Sequence, residues 1–115
     1  MTPIELMDRL GRLLADLSSA NEEYKALYLE YIEKYNTYKA EYAKKCLLNK
    51  TEMGKATVNE LESKTILDTQ KEKLEADIAE AMLKTCRERI DSLKIEIDTV
   101  RSMLSYLKSE YERVE

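Results

Sequence analysis

Residues 24–42 read YKALYLEYIEKYNTYKAEY, and this stretch decides the predicted fold. Six of its nineteen residues are tyrosines, separated by steps of 4, 3, 4, 3 and 4. We call these six residues the tyrosine row: Tyr24, Tyr28, Tyr31, Tyr35, Tyr38 and Tyr42. Alternating steps of three and four place side chains on one face of an α-helix, in the heptad pattern of a coiled coil. The row therefore predicts a long helix with one aromatic, amphipathic face.

The heptad pattern continues from the row toward the N-terminus without a change of phase. The predicted seam consists of Met7, Leu10, Leu14, Leu17, Asn21 and the tyrosine row. With Met7 at position a, Asn21 also falls at a, where asparagine sets register in coiled coils. Leu13, Leu27 and Ile32 widen the stripe beyond positions a and d, which suits a bundle of more than two helices.

The first helix is predicted over about residues 3–48. Thr2 and Pro3 supply an N-cap hydroxyl and a first-turn proline. Ser19 and Glu22 fit a capping box, so the helix could restart there, but the unbroken heptad phase favours continuity. The best break is NKTEMGKA, about residues 49–56, in which Asn49 ends the helix and a glycine takes a positive φ.

The second helix is predicted over about residues 57–113, opening with a capping box at Thr57-Val-Asn-Glu60. Its last part carries a clean heptad seam: Ile90, Leu93, Ile97, Val100, Leu104, Leu107, Tyr111 and Val114. The e positions of this seam are basic: Arg87, Lys94, Arg101 and Lys108. Residues 68–75, DTQKEKLE, are polar, and the phase does not run unbroken through them. A stutter or kink is therefore predicted at 68–75.

The short connection predicts that the two helices pack antiparallel. With the turn near residue 53, paired residue numbers sum to about 106, which places Tyr38 near Asp68. Tyrosine suits that position because its hydroxyl needs a polar partner when its ring is buried. The candidate partners are Asp68, Gln70, Lys71 and Glu72. The same register leaves residues beyond about 104 without an intrachain partner, which predicts self-association or docking on another protein.

The predicted fold is all-α: one domain, residues 1–115, forming a long antiparallel helical hairpin or coiled coil that assembles into an oligomeric helical bundle. Seam residues are assigned to the oligomer or partner interface. They are Leu10, Leu14, Leu17, Asn21, Tyr24, Tyr28, Tyr31, Tyr35, Tyr38, Tyr42, Ile97, Val100, Leu104, Leu107 and Tyr111.

Composition favours a structural role over a catalytic one. Charged residues make up 37% of the chain. Histidine is absent, so the chain has no imidazole to act as a general base or as a metal ligand. No phosphate-binding glycine loop or catalytic motif occurs, and we predict no enzyme activity, no cofactor and no metal site. Cys46 and Cys86 lie 40 residues apart and are interpreted as buried or half-buried thiols in the cytoplasm. No signal peptide or membrane span is predicted.

Three interpretations of the tyrosine row stay open. The first is a helix–helix core, and the second is a surface for a partner protein, since tyrosine is enriched in binding hot spots. The third is a stacking platform for single-stranded nucleic acid. Residues 20–50 carry six basic and five acidic groups, so the basic groove that phosphate binding needs is missing and this third class is disfavoured. The basic e positions pair with a neighbouring helix or dock on an acidic partner.

The layout resembles small helical coiled-coil accessory proteins of phages and mobile elements of Gram-positive bacteria. Three features carry the resemblance. The chain opens with the segment IELMDRLGRLLADLSSANEEY, a polar break follows, and the last predicted helix is long, charged and ends in LKIEIDTVRSMLSYLKSEYERV. The resemblance implies an inhibitor of a host or defence protein, or an accessory factor for recombination or replication, acting in the host cytoplasm. It carries no catalytic residues over to this chain.

Overall fold

The computed structural model describes residues 2–114, with the side chains of residues 2–113. It contains three helices over that range: α1 is Pro3–Met53, α2 is Val58–Asp68 and α3 is Gln70–Val114. The all-α prediction is confirmed, because no strand occurs among the described residues. The terminal limits of the predicted domain, Met1 and Glu115, lie outside the described residues, as does the side chain of Val114.

The helix α1 is continuous for 51 residues. It starts with a capping box, since the backbone N–H of Glu5 donates to Thr2 Oγ1 at 3.2 Å. The helix continues through Ser19 without a restart, and this continuity is what the unbroken heptad phase predicted. The prediction that Asn49 ends the helix is wrong: α1 runs on to Met53, and Gly54 follows at φ +60°. A glycine takes this left-handed conformation without the steric cost that a Cβ would bring.

A second interruption falls at Thr69, inside the segment 68–75 where a stutter or kink is predicted. Thr69 leaves the helical conformation, with φ −114° and ψ 15°, and separates α2 from α3. Its hydroxyl donates to the carbonyl of Thr65 at 2.8 Å, so the side chain satisfies a backbone group at the break. Threonine makes this local bond in competition with regular helix geometry, which explains the discontinuity.

The residues form two compact units. The first unit contains the described residues of Met1–Lys25 and Lys84–Glu115, and the second is Ala26–Leu83. In the first unit the start of α1 packs antiparallel to the end of α3. Leu6, Leu13, Ile97 and Val100 form its buried core. In the second unit the remainder of α1 packs against α2 and the start of α3.

The face of α1 that is turned inward differs from the predicted seam. Between Leu6 and Tyr38, the buried and half-buried positions other than Arg9 form what we call the inner column: Leu6, Leu10, Leu13, Leu17, Ala20, Tyr24, Leu27, Tyr31, Lys34 and Tyr38. The inner column shares the predicted d positions, such as Leu10 and Leu17. At each predicted a position, such as Met7, the inward residue is instead the one that precedes it in the sequence. Leu6 is 0% exposed whereas Met7 is 62% exposed. Asn21, predicted to set the register, is exposed, and Ala20 is buried in its place.

The seam of α3 agrees with the predicted phase from Ile90 to Leu107. Ile90, Ile97 and Val100 are buried, and Leu93, Leu104 and Leu107 are half-buried. The same phase continues back through Cys86, Leu83, Ala79, Ala76, Glu72 and Thr69, of which only Leu83 is a large apolar residue. Apolar periodicity could not reveal this part of the seam, because small or polar side chains occupy its other inward positions.

The predicted overhang at the C-terminal end is wrong for two of its leucines. Leu104 and Leu107 pack against the core that contains Leu6, so they have intrachain partners. Tyr111 is 73% exposed. The contact of Ala20 with Cys86 keeps the predicted sum of 106, whereas the contacts of Tyr24 with Arg87 and of Glu23 with Arg89 have sums of 111 and 112.

A buried polar cluster fixes α1 against α2 in the second unit. Asn49 is 1% exposed, and its side-chain amide donates to Thr65 Oγ1 at 3.2 Å and to Asp68 Oδ2 at 3.0 Å. Lys64 pairs with the same Asp68 oxygen at 3.3 Å. A buried amide must find its partners at one relative position of two helices, so Asn49 has the register-setting role that was predicted for Asn21.

This cluster makes the second unit sensitive to acid. The hydrogen bond from Asn49, followed by the interaction with Lys64, lowers the pKa of Asp68. A carboxyl whose pKa is lowered by folding stabilises the fold above its ordinary pKa. That contribution is lost as the pH falls through the lowered pKa.

Two isoleucines on α3 test the inward phase. Ile97 is 3% exposed and Ile95 is 67% exposed. We expect Ile97→Ala to lower the free energy of unfolding by about 2–5 kcal/mol, because it leaves a cavity in the core. Ile95→Ala, the matched control, should change it by less than about 0.5 kcal/mol. Urea unfolding followed by circular dichroism measures both, and equal losses would contradict the assigned phase.

Two asparagines on α1 test the register cluster. We expect Asn49→Ala to destabilise the protein by about 1–3 kcal/mol, because it removes the amide that donates to Thr65 and Asp68 and leaves the oxygen of the buried Thr65 hydroxyl without this donor. Asn21→Ala should be neutral to within about 0.5 kcal/mol, because Asn21 is exposed. Unfolding at a series of pH values adds a second readout. The wild type should lose more stability than Asn49→Ala below the ordinary range of Asp68, and parallel curves would contradict the cluster.

Candidate interaction surface

Alternate tyrosines of the row point in different directions. Tyr24, Tyr31 and Tyr38 belong to the inner column and are half-buried. Tyr28 and Tyr35 are 47% and 38% exposed, and Tyr42 near the end of α1 is half-buried. The core interpretation therefore fits the inner-column tyrosines, and it does not fit Tyr28 and Tyr35.

The inward tyrosines meet cationic side chains on α3. Arg87 donates to the hydroxyl of Tyr24 at 2.9 Å and lies 5.8 Å from the centre of its ring. Lys73 Nζ lies 5.7 Å from the ring centre of Tyr38. The prediction that placed Tyr38 near Asp68 is thus wrong by about one turn. Among the described residues no hydrogen bond joins Tyr38 to Asp68, so the ring faces a cation instead.

The rings of the second unit are also paired with one another. Tyr31 and Tyr35 stack with centroids 5.8 Å apart and an interplanar angle of 14°. Tyr38 and Tyr42 meet edge to face at 6.1 Å and 66°. Lys39 Nζ lies 4.7 Å from the ring centre of Tyr35. A platform for stacked bases needs open ring faces, and these contacts occupy ring faces along the row.

A stripe of exposed apolar side chains runs along α1 beside the inner column. We call it the outer stripe and define it as Tyr28, Leu29, Ile32 and Tyr35. Leu29 is 68% exposed and Ile32 is 37% exposed. Single exposed apolar residues are ordinary on protein surfaces, but neighbouring ones on one helix face mark a binding surface. Ile32 is one of the residues that widen the predicted seam, whereas Leu29 is not among the predicted interface residues.

A groove of about 480 Å³ lies beside Tyr38 in the second unit. Its apolar lining includes Ile66 and Leu74, which are 50% and 60% exposed. Lys73 and Asp77 form an ion pair across its edge at 2.8 Å, and this pair raises the pKa of Lys73. The groove is therefore an apolar channel whose flanking charges largely neutralise each other.

Two smaller grooves lie in the first unit. One, of about 340 Å³, is lined by Leu6, Met103 and Leu107 among others. The other, of about 210 Å³, lies between Leu14 and Leu17 on α1 and the basic residues Lys94 and Arg101 on α3. Asp98 lines the same groove. The basic e positions here thus lie next to apolar α1 side chains, with an acidic residue of their own helix nearby.

The residues assigned to an interface divide into three sets. Those that pack in or against the core of the first unit are Leu10, Leu17, Ile97, Val100, Leu104 and Leu107. Those that are half-buried in the tyrosine row are Tyr24, Tyr31, Tyr38 and Tyr42. Those that are exposed are Leu14, Asn21, Tyr28, Tyr35 and Tyr111. The exposed set offers the most surface to a partner in the folded chain.

The two thiols have different environments. Cys86 is buried and donates to the carbonyl of Ala20 at 3.5 Å. Its burial, and then the negative charge of Glu23, raises the pKa of this thiol and makes it a poor nucleophile. Cys46 is exposed, which corrects the expectation that it is buried or half-buried.

Residues 2–114 contain no group of three or more acidic or cysteine side chains placed to hold a metal ion. Within the same range, none of the helices has both the length and the apolar character required to span a bilayer. Comparison with protein families, with curated proteins and with solved structures finds no match.

Tyr42 provides a pH test of the row. Burial, and then the charge of Glu62, raises the pKa of its hydroxyl. The neutral ring therefore stabilises the fold at and below its ordinary pKa, and this contribution is lost as the pH rises through the raised value. In a spectrophotometric titration of tyrosine ionisation, Tyr42→Phe should remove part of the high-pH end of the curve. A high-pH end unchanged in Tyr42→Phe would contradict this environment.

Proposed function

We propose that the protein is a non-enzymatic protein–protein interaction module that acts through a helical, coiled-coil surface. In this proposal it is an accessory or inhibitor protein of a phage or mobile element, acting in the host cytoplasm on a host or defence protein or on a further copy of itself. The proposed binding surface is the outer stripe of α1.

The observation that carries the proposal is the exposure of Tyr28 and Tyr35, two of the six tyrosines of the row, beside exposed aliphatic residues. The helix α1 already has an inward face that satisfies its packing against the neighbouring helices. Tyr28, Leu29 and Ile32 nevertheless leave apolar area in water on a second face. Removing such area from water is favourable by about 25 cal/mol per Å², which supplies a driving force for docking.

The residue types on the stripe suit recognition. Tyrosine brings a large apolar ring with few rotatable bonds and a hydroxyl that tolerates water before binding, and it is enriched in hot spots. Tyr35 is also held in place by its stack on Tyr31 and by Lys39 above its ring. A side chain that is ordered before binding loses less conformational entropy on docking.

The alternative is an accessory factor that binds single-stranded nucleic acid through the tyrosines and lysines of α1. The ring contacts within the row and the cations already placed over Tyr35 and Tyr38 weigh against it. So does the charge balance of residues 20–50, which carry six basic and five acidic groups. Phosphate binding needs a stronger basic surface than this.

The test compares two leucines of similar exposure on α1. Leu29 lies on the outer stripe and is 68% exposed, whereas Leu47 lies off it and is 69% exposed. Three tagged proteins are expressed in the native host: the wild type, Leu29→Glu and Leu47→Glu. Each is cross-linked to its neighbours and purified through the tag, and the proteins bound to it are identified by mass spectrometry. We expect a defined partner, or the untagged chain, to be retained by wild type and Leu47→Glu and lost at least tenfold by Leu29→Glu, because a buried charge costs more than 1.4 kcal/mol.

Equal retention by the two variants would remove the outer stripe from the binding surface. A salt-dependent mobility shift of a single-stranded oligonucleotide, abolished in Tyr35→Ala, would replace the proposal by the nucleic-acid alternative. Circular dichroism of both glutamate variants provides the control that the helices are intact.

A further inference from the structure

We infer that the outer stripe of α1 packs against the outer stripe of a second copy, antiparallel, with Leu29 of each chain against Ile32 of the other. This inference rests on the proposed function and names the occupant of its surface. It comes from the order of charged and apolar residues along the exposed face of α1.

That face carries its own heptad column, separate from the inner column. Steps of 3, 4, 3, 4, 3 and 4 join its members, which are Glu22, Lys25, Leu29, Ile32, Asn36, Lys39 and Ala43. All seven are exposed. Two apolar residues stand at the centre, with polar and charged residues on both sides. A column of this kind is a short coiled-coil seam with charged ends.

The charges decide the orientation. A parallel pair of such helices would place Glu22 on Glu22, Lys25 on Lys25 and Lys39 on Lys39, and each layer would repel. An antiparallel pair in which facing residue numbers sum to 61 places Glu22 of one copy on Lys39 of the other, twice by symmetry. Within one chain Glu22 pairs with Lys25 at 3.3 Å, an exposed ion pair that salt and water weaken, so its carboxylate is able to turn to the second copy. Opposite charges face each other in this arrangement, and like charges do not.

The apolar residues decide the register. At a sum of 61, Leu29 faces Ile32 of the second copy and Lys25 faces Asn36. A shift by one heptad gives sums of 54 or 68, which place Leu29 on Lys25 or on Lys39. Both shifts bury a charge against the leucine, so the sum of 61 is favoured over its neighbours.

The residues beside the column fit the same register. Tyr35 falls opposite Ala26 of the second copy, where a small side chain leaves room for the ring. Tyr28 falls opposite Glu33, a carboxylate that can accept a hydrogen bond from its hydroxyl. The outer stripe thus becomes the centre of a two-fold symmetric interface, and the ion pairs lie at its ends.

Disulfide trapping tests orientation and register together. Glu22→Cys and Lys39→Cys are made separately in a Cys46→Ser background, because Cys46 is exposed, and the buried Cys86 is retained. Two copies of residue 22 lie 17 positions out of register in the antiparallel pair, roughly 25 Å apart at ~1.5 Å per residue. We expect a cross-linked dimer when the two proteins are mixed and none from either protein alone. Cross-linking of each protein alone, or none in the mixture, would overturn the inference.

Charge reversal provides the second measurement. Sedimentation equilibrium should show that Glu22→Lys and Lys39→Glu each raise the dimer dissociation constant by about tenfold, since each replaces two ion pairs by two repulsions. The double variant should return to within about threefold of wild type because both pairs are restored with reversed sign. Glu88→Lys on the exposed side of α3 makes the same charge change as Glu22→Lys and should leave the constant unaltered.

The two proposals fail in different ways. If the protein stays monomeric at every concentration, the inference that a second copy occupies the outer stripe is overturned. The proposed function would still stand in that case if another protein were retained by the wild type and lost by Leu29→Glu. A dimer that is insensitive to both Glu22→Lys and Lys39→Glu also overturns this inference.

Discussion

The face that α1 turns inward is the constraint on which the rest of the structure depends. In the first unit this face is marked by the approach of Cys86 Sγ to the carbonyl of Ala20 at 3.5 Å. Such an approach to the backbone needs a small residue on α1, and Ala20 provides one. In the second unit Asn49 marks the same face, because its buried amide has both partners on α2. Once this face is inward, Met7, Leu14 and Tyr28 are outward.

The sequence predicts the helices and the seam of α3 well, because the apolar residues of 90–107 alternate in one phase only. It predicts the inward face of α1 poorly. Leu10, Leu17 and Tyr24 belong to the predicted seam and to the inner column alike. Several residues that differ come in adjacent pairs, such as Leu6 with Met7 and Leu13 with Leu14, in which both members are apolar. Hydrophobic periodicity cannot choose between the two columns at such pairs.

The pair Ala20 and Asn21 does distinguish the two columns, and the predicted seam contains the wrong member of this pair. Asparagine at a heptad position suggested a buried register-setting residue, yet that role belongs to Asn49, which was interpreted as a helix end. Both errors share a physical origin. An asparagine is compatible with a cap, an exposed position or a buried hydrogen-bonded position, and only the partners across the interface select among them. Those partners, Thr65 and Asp68, lie in another helix.

The candidate site follows from the same constraint. Tyrosines at alternating steps of three and four serve both faces of α1, so the row is a core for some of its members and a surface for others. Of the inward members, Tyr24 meets Arg87 and Tyr38 meets Lys73, and neither cation is among the predicted partners Asp68, Gln70, Lys71 and Glu72. The outward members, Tyr28 and Tyr35, flank Leu29 and Ile32 and create the apolar surface from which the proposed binding activity is drawn.

Hydroxyl-radical footprinting of the dilute protein, read by mass spectrometry at single-residue resolution, tests the inward face most directly. Neighbouring residues serve as internal controls for one another, because Leu6 is 0% and Met7 62% exposed, and Leu13 is 7% and Leu14 41% exposed. After correction for intrinsic reactivity, we predict strong oxidation of Met7, Leu14 and Tyr28 with protection of Leu6, Leu13 and Tyr31. Protection of Met7 and Leu14 with oxidation of Leu6 and Leu13 would contradict the account.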